Sequence, residues 1–281
     1  YLASDFLQGR ETGTAGEERA AQYLATRFQE AGLSPKGDNG SWFQSFEFNY
    51  NTNPHAANGE SRTGKNVVGY LDNQAAQTVV IGAHYDHLGT GTFSSREPGS
   101  NAIHNGADDN ASGVAGMIRL AHYLKNSPAS NNNYLFIGFS GEEMGLHGSK
   151  HFVDNPTVDV TTVNYMLNMD MIGKLNADKV LVINGAGTSP VWKEVLPEIE
   201  VDGIKIETND SGVGPSDHTS FYLKDLPVLH FFTGAHDDYH KPSDDSEEVN
   251  FEGIKSVTDF MIALIEELDG AEKLEFTATK D

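Results

Sequence analysis

Six stretches, residues 66–71, 78–83, 134–139, 165–169, 179–183 and 227–232, are strand-length and largely apolar, and most lack the polar alternation of a half-exposed strand. Such runs must be buried on both faces, the condition of a parallel sheet covered above and below. Helical periods fall between several of them. Val114, Met117, Ile118, Ala121 and Leu124 recur at 3.6 spacing, and a final helix from 251 to about 268 turns Ile254, Val257, Phe260, Met261, Leu264 and Ile265 inward. Near the start, Thr14-Ala15-Gly16-Glu17 reads as a capping box. It opens a helix that carries Ala21, Leu24, Phe28 and Ala31 along one face before Gly32 ends it. Strands alternating with helices predict an α/β fold, a mostly parallel mixed sheet sandwiched by helices. At 281 residues the expectation is one domain over 1–281. Residues 33–65 read as a polar excursion containing Asn51, Asn53, Pro54, Asn58 and Gly59, with a short strand at 43–48.

Composition excludes several functions. Asp and Glu total 41 against 19 Lys and Arg, a net charge of -22 that argues against nucleic acid and against anionic lipid, both of which need basic surface. There is no cysteine, so any metal must be held by His and carboxylates. No apolar run approaches the ~20 residues needed to span a bilayer. The first residue is Tyr1 rather than Met, which points to a processed or trimmed chain. Nothing in the sequence speaks to oligomeric state.

In an open α/β sheet, ligands gather beyond the carboxyl ends of the strands. There the sequence is rich in metal-binding side chains. Run 78–83 leads into His84-Tyr85-Asp86, run 134–139 into Ser140-Gly141-Glu142-Glu143, run 165–169 into Asp170, and run 227–232 toward Tyr239-His240, while Asp108-Asp109 precedes the helix that begins near Ser112. Singly, an Asp pair before a helix is an N-cap and adjacent glutamates are solvated. Four strand ends delivering His, Asp, Glu and His to one sheet edge are better explained by metal. His and carboxylates without thiolates suit zinc, and a two-metal site needs one shared carboxylate with about two private ligands for each ion. Two zinc ions per chain fit the inventory: Asp109 as bridge, His84 with Asp170 on one ion, Glu143 with His240 on the other. Asp86 is left to orient a ligand from behind, and Glu142 is left free as general base.

These segments resemble the zinc-dependent exopeptidases of the M28 peptidase group, which includes secreted bacterial leucine-type aminopeptidases. The resemblance runs through His84-Tyr85-Asp86-His87, Gly106-Ala107-Asp108-Asp109-Asn110-Ala111-Ser112-Gly113, Gly141-Glu142-Glu143, Asn168-Met169-Asp170-Met171-Ile172-Gly173, Ser216-Asp217-His218 and Tyr239-His240-Lys241-Pro242-Ser243-Asp244-Asp245, and includes Gly9-Arg10-Glu11-Thr12-Gly13. It implies the zinc aminopeptidase fold, a bridging role for Asp109, a cis bond from Asp109 to Asn110, an oxyanion-stabilising hydroxyl on Tyr239 and a polar position near the site at Asp217. It also implies peptide substrates with a free amino terminus and, with the missing start, secretion or periplasmic residence. The protease-associated insert of some relatives has no room between Tyr70 and His84. Single-zinc glutaminyl cyclases resemble the same group and form the chief alternative, with a non-catalytic binding module behind them. His84 and Asp170 together argue for two metals.

Several patterns are set aside. Residues 59–66 nearly spell a phosphate-binding loop, but Asn66 replaces the hydroxyl residue and a strand follows. His147 and His151 stand at i, i+4 without the glutamate of a His-Glu-x-x-His motif, so they belong to an ordinary helix. His87 and His218 are expected to be structural hydrogen-bonding partners. Residues 89–106, with Phe93 and Arg96, form a long loop expected to border the substrate cleft, and Arg96 is the only weak candidate for binding a carboxylate.

Overall fold

The computed structural model describes residues 1–51, 59–91 and 94–280. Asn53, Pro54, Asn58 and Phe93 lie outside the described residues. The apolar runs pair into one nine-stranded mixed sheet. Its strands are β1 (Ser34–Pro35), β2 (Phe43–Tyr50), β3 (Glu60–Leu71), β4 (Gln77–His84), β5 (Asn132–Phe139), β6 (Val163–Met169), β7 (Val180–Asn184), β8 (Lys205–Asn209) and β9 (Val228–Phe232). Their order is β1-β3-β5-β4-β6-β9-β7-β8, with β2 also paired to β3. The centre, β5-β4-β6-β9, is parallel throughout. Antiparallel pairings occur toward the margins, at β2–β3, β3–β5 and β7–β9.

Among the described residues six α-helices cover the sheet: α1 (Ala15–Glu30), α2 (Gly113–Leu124), α3 (His147–Asp154), α4 (Pro190–Val195), α5 (His218–Tyr222) and α6 (Phe251–Glu267). The uninterrupted apolar strands are explained by the two cores. Val79 and Ile81, Tyr134 and Phe136, and Tyr165 and Leu167 face one core with Leu24 and Phe28 of α1, Met117 of α2 and Phe260 of α6. The residues between them, Val80, Leu135, Ile137 and Met166, face a second core with Phe152 of α3 and Phe221 of α5. Strands alternate their side chains, so a strand covered on both faces has no position left for a polar residue. Among the described residues no helix is long and apolar enough to cross a membrane.

The structure departs from the sequence reading at the sheet margins. β3 starts at Glu60, within the stretch read as an irregular excursion, because 60–67 pairs with β2 as an edge hairpin and an edge arm needs no double-sided burial. β8 is largely exposed, so its residues carry no apolar signal. At the start of α1, Thr14 Oγ1 accepts from the Glu17 amide at 3.4 Å, and Glu17 reaches back to the amide of Gly13 rather than of Thr14, at 2.7 Å.

Candidate active site

The chain runs from β4 through α2 to β5 on one side of β4, then through α3 to β6 on the other. That reversal opens a crevice at the carboxyl ends of the parallel strands. His84 is the last residue of β4, and Asp170 follows β6 directly. After β5, Gly141 adopts φ 70°, a left-handed turn natural to glycine, and brings Glu142 and Glu143 back over the sheet edge. Asp109 lies in the π-helical turn Ala107–Ser112 before α2, and its bond to Asn110 is cis. Asn110 fastens that turn to two strand ends: its amide donates to the carbonyls of His84 (3.2 Å) and Met169 (2.9 Å), and its oxygen accepts from Gly113 (3.1 Å) and Met171 (3.0 Å). Asp244 accepts the amides of Asp108 and Asp109 at 2.9 and 3.0 Å. The buried Arg10 guanidinium donates to the carbonyls of Tyr85, Asn105, Gly106 and Leu2, joining the amino-terminal segment to both ligand-bearing loops.

The sequence-derived residues converge. His84 Nε2 lies 3.3 Å from Asp109 Oδ1 and 3.3 Å from Asp170 Oδ1, with Glu142 Oε2 farther at 3.7 Å. His240 Nε2 lies 3.1 Å from Asp109 Oδ2 and 3.1 Å from Glu143 Oε2. Donors on one tetrahedral zinc, each bonded at ~2.0–2.1 Å, stand roughly 3.3 Å apart, so these spacings fit a metal on each side of Asp109. Ligand atoms of His84, Asp109 and Glu143, and again of His84, Glu142 and Asp170, lie within 4.8 Å of one another. Asp86 sits behind them: its side chain is 3.5 Å from His84 Nδ1 and accepts the amides of Glu142 and Glu143, both at 3.3 Å. His87 is the structural partner expected of it, with Nδ1 2.8 Å from Glu143 Oε1. His240 Nδ1 meets the carbonyl of Ser94 at 3.0 Å, and His240 holds φ 56°, an uncommon conformation for a residue with a Cβ.

The electrostatics follow from packing carboxylates together out of water. Burial pushes Glu142 well above the usual carboxylate range, and neighbouring Asp170, Glu143 and Asp217 push the same way against His84. Burial would raise Asp109 too, but hydrogen bonds from His240 and His84 prevail and hold it well below that range. Burial lowers His84, yet Glu142 and Asp170 outweigh it and keep the imidazole well above its ordinary value. Asp217 is fully buried and is pushed up to about 7, chiefly by burial. A cluster this rich in buried carboxylate favours protonation or cations beside it.

A cleft of about 370 Å³ opens onto these groups. Asp109, Glu142, Glu143, Asp170 and Tyr239 line it, as does Arg96, so the 89–106 loop does border the cleft. The Arg96 guanidinium stands 4.7 Å from the centroid of the Tyr239 ring, which itself stacks on His240 at 3.9 Å. The remaining lining comes from residues the sequence reading passed over, including Met171, Val182, Asn184, His230 and Phe232. Only the alternation of β7 and β9 hinted at which of their residues share a face. His218 corrects an expectation: neither ring nitrogen has a hydrogen-bond partner among the described residues, and the ring instead stacks on His230 at 4.5 Å. His147 and His151 lie on α3 beside Phe48 and Phe46, away from the metal-type cluster.

Fold and site together define an α/β sandwich with a candidate histidine–carboxylate metal site at the carboxyl ends of its parallel strands. Residues 66–265 match the model of peptidase family M28, and the chain belongs to that family. It is 30% identical over 235 residues to aminopeptidase YwaD of Bacillus subtilis (strain 168), covering 78% of this chain and 48% of that protein. The chain thus spans about half the length of the curated relatives it matches. Among solved structures it is similar to a zinc aminopeptidase from Bacillus subtilis, with TM-score 0.75, 18% identity and coverage of 100% and 97% of the two chains. It is also similar to Porphyromonas gingivalis glutaminyl cyclase, with TM-score 0.74, 16% identity and 93% coverage of each.

Proposed function

We propose that this chain is a zinc aminopeptidase that removes the amino-terminal residue from peptides at a two-metal centre. The carrying observation is the orientation of Asp109, whose Oδ1 faces His84 at 3.3 Å and whose Oδ2 faces His240 at 3.1 Å, as a carboxylate shared between two ions would. His84, Asp109 and Asp170 would hold one ion, and Asp109, Glu143 and His240 the other. Bound there, zinc would supply Lewis-acid polarisation of the scissile carbonyl and acidify a water. Glu142 stands farther from His84 than either of that histidine's partners and is left to take the proton of the attacking water and return it to the leaving amine. Burial and neighbouring carboxylates raise Glu142, and cations held beside it would draw it back toward the ionised form that a base needs. Tyr239 lines the cleft and would donate its hydroxyl to the carbonyl oxygen as charge develops there. Asp86 would orient His84, whose Nδ1 meets its carbonyl at 3.2 Å with its side chain at 3.5 Å, and it holds the amides of Glu142 and Glu143, while Asp217 stands near Glu142 as a further carboxyl.

Hydrolysis at a free amino terminus is supported by family membership and by the aminopeptidase name of the Bacillus subtilis relative. The fold alone does not separate this reading from a cyclase, since both kinds of protein share it. The paired His84–Asp170 and Glu143–His240 sets favour two metals over one. The test is metal content together with hydrolysis of leucyl anilide by the native chain, Glu142→Ala and a metal-stripped sample. About two zinc ions, with activity abolished in Glu142→Ala while metal is kept, supports the assignment. A single zinc, or full metal without turnover of any free-amine peptide, sinks it.

A further inference from the structure

One wall of the cleft, bordering Asp170, is a patch of the β7–β9 ladder. In β7, Leu181 and Ile183 face the core, so Val182 and Asn184 share the opposite face. In β9, Leu229 and Phe231 face that core, so His230 and Phe232 share the other face. The antiparallel register sets Val182 opposite Phe232 and Asn184 opposite His230, and all four line the cleft. An apolar pair therefore lies beside a polar pair on one surface.

The polar pair does not stand alone. β6 places Asn168 against His230, so Asn168, His230 and Asn184 form a polar row across three neighbouring strands that are otherwise largely apolar. Asn168 is fully buried and His230 is 5% exposed, and both keep polar atoms without hydrogen-bond partners among the described residues, Asn168 Oδ1 and His230 Nε2. His218 stacks on His230 from behind. Buried polar groups are costly unless satisfied, so a row like this is not explained by packing. Two cationic imidazoles would not stack face to face at 4.5 Å, so the His230–His218 pair is not doubly charged. The Asn184 amide nitrogen is 3.3 Å from His230 Nδ1, which accepts when the ring carries its proton on Nε2. That arrangement leaves Asn184 its carbonyl oxygen and a second N–H, one acceptor and one donor.

We propose that Asn184 and His230 make this subsite select an uncharged hydrogen-bonding side chain, a carboxamide such as that of amino-terminal asparagine or glutamine, over an aliphatic one of the same shape. The inference rests on the reading that the cleft takes the amino-terminal residue of a peptide. Met171, Val182 and Phe232 pack the aliphatic part of the side chain, and the carboxamide pairs reciprocally with Asn184. A leucine side chain fills the same volume but leaves Asn184 without that pairing, the situation in which a site rejects an isostere.

The experiment compares asparaginyl and leucyl anilides, whose side chains are nearly isosteric, in the native enzyme and in Asn184→Leu. His230→Phe probes the same wall from the facing strand, in case the first variant does not fold. The asparaginyl-to-leucyl ratio of kcat/KM is expected to fall about tenfold or more in either variant. Calorimetric affinities for free L-asparagine and L-leucine give a second ratio, of ground-state binding, without turnover. If leucyl anilide is hydrolysed but neither ratio moves by more than twofold, the selectivity inference is overturned and the aminopeptidase reading survives. If no anilide is hydrolysed while the affinity ratio shifts as expected, the catalytic reading fails and the subsite stands.

Discussion

Replacing Glu17 with glutamine changes how the stability of this chain depends on pH. Glu17 is 2% exposed beneath the Glu142 loop, where its carboxylate accepts from Ser140 Oγ (2.6 Å), the Gly13 amide (2.7 Å), the Tyr85 hydroxyl (3.1 Å) and the Lys65 amide (3.3 Å). Burial nevertheless dominates those donors and raises its pKa from 4.5 to about 7. The folded state therefore keeps a proton over a range in which the unfolded state has released it. The stability this confers is complete below the unfolded value and is lost as pH rises through about 7. The displacement corresponds to about 3 kcal/mol. Glutamine cannot ionise, so the variant loses that dependence, and its NH2 faces the Gly13 amide at a cost of about 1 kcal/mol. Glu17→Gln should thus be less stable than the native chain by about 1 kcal/mol near pH 4.5 and more stable by about 2 kcal/mol above pH 8. Urea unfolding followed by the fluorescence of Trp42 and Trp192, at matched zinc concentration, measures both differences. A stability difference of the same sign and size at both pH values would refute the reasoning.

Asp86→Asn puts an amide where a carboxylate faces His84 at 3.5 Å and accepts two loop amides, and zinc affinity measured against a competing chelator should weaken by about 10–100-fold; unchanged affinity would show that the Asp86 side chain orients nothing that matters. Tyr239→Phe should lower kcat by roughly 100-fold with little change in KM, and an unaltered kcat would remove the hydroxyl from the mechanism. Phe260→Ala empties a fully buried site between α6 and the sheet. Denaturant unfolding should show a loss of about 3–5 kcal/mol, and a loss below 1 kcal/mol would mean that the core closes over the gap.

Much of the centre is legible in the sequence. The runs that became β4, β5 and β6 are apolar at nearly every position because both faces are covered, and that pattern depends on the strand alone. The margins were not legible: β8 is exposed and the start of β3 pairs with an edge arm, so neither needs an apolar signature. His84, Asp109, Glu142, Glu143, Asp170 and His240 stand beside strand ends or at a helix start, where residue type and position already suggest ligands, and the family resemblance sharpened their roles.

Other features required the chain to be folded. The two oxygens of Asp109 face different histidines because Asn110 and Asp244 hold its turn from two sides, which no spacing encodes. The histidines show the division most clearly. His87 and His218 sit in similar motif segments, yet one is hydrogen-bonded to Glu143 and the other is stacked on His230 with no hydrogen-bond partner among the described residues. The cleft lining was equally hidden, since Asn184 and His230 are 46 positions apart and meet only through the register of β7 on β9. Local patterning determined which segments are buried and where ligand-type residues emerge, because burial and strand ends are properties of short stretches. Which side chains face one another was decided by strand order and register, because hydrogen bonding across a sheet joins residues that the sequence keeps far apart.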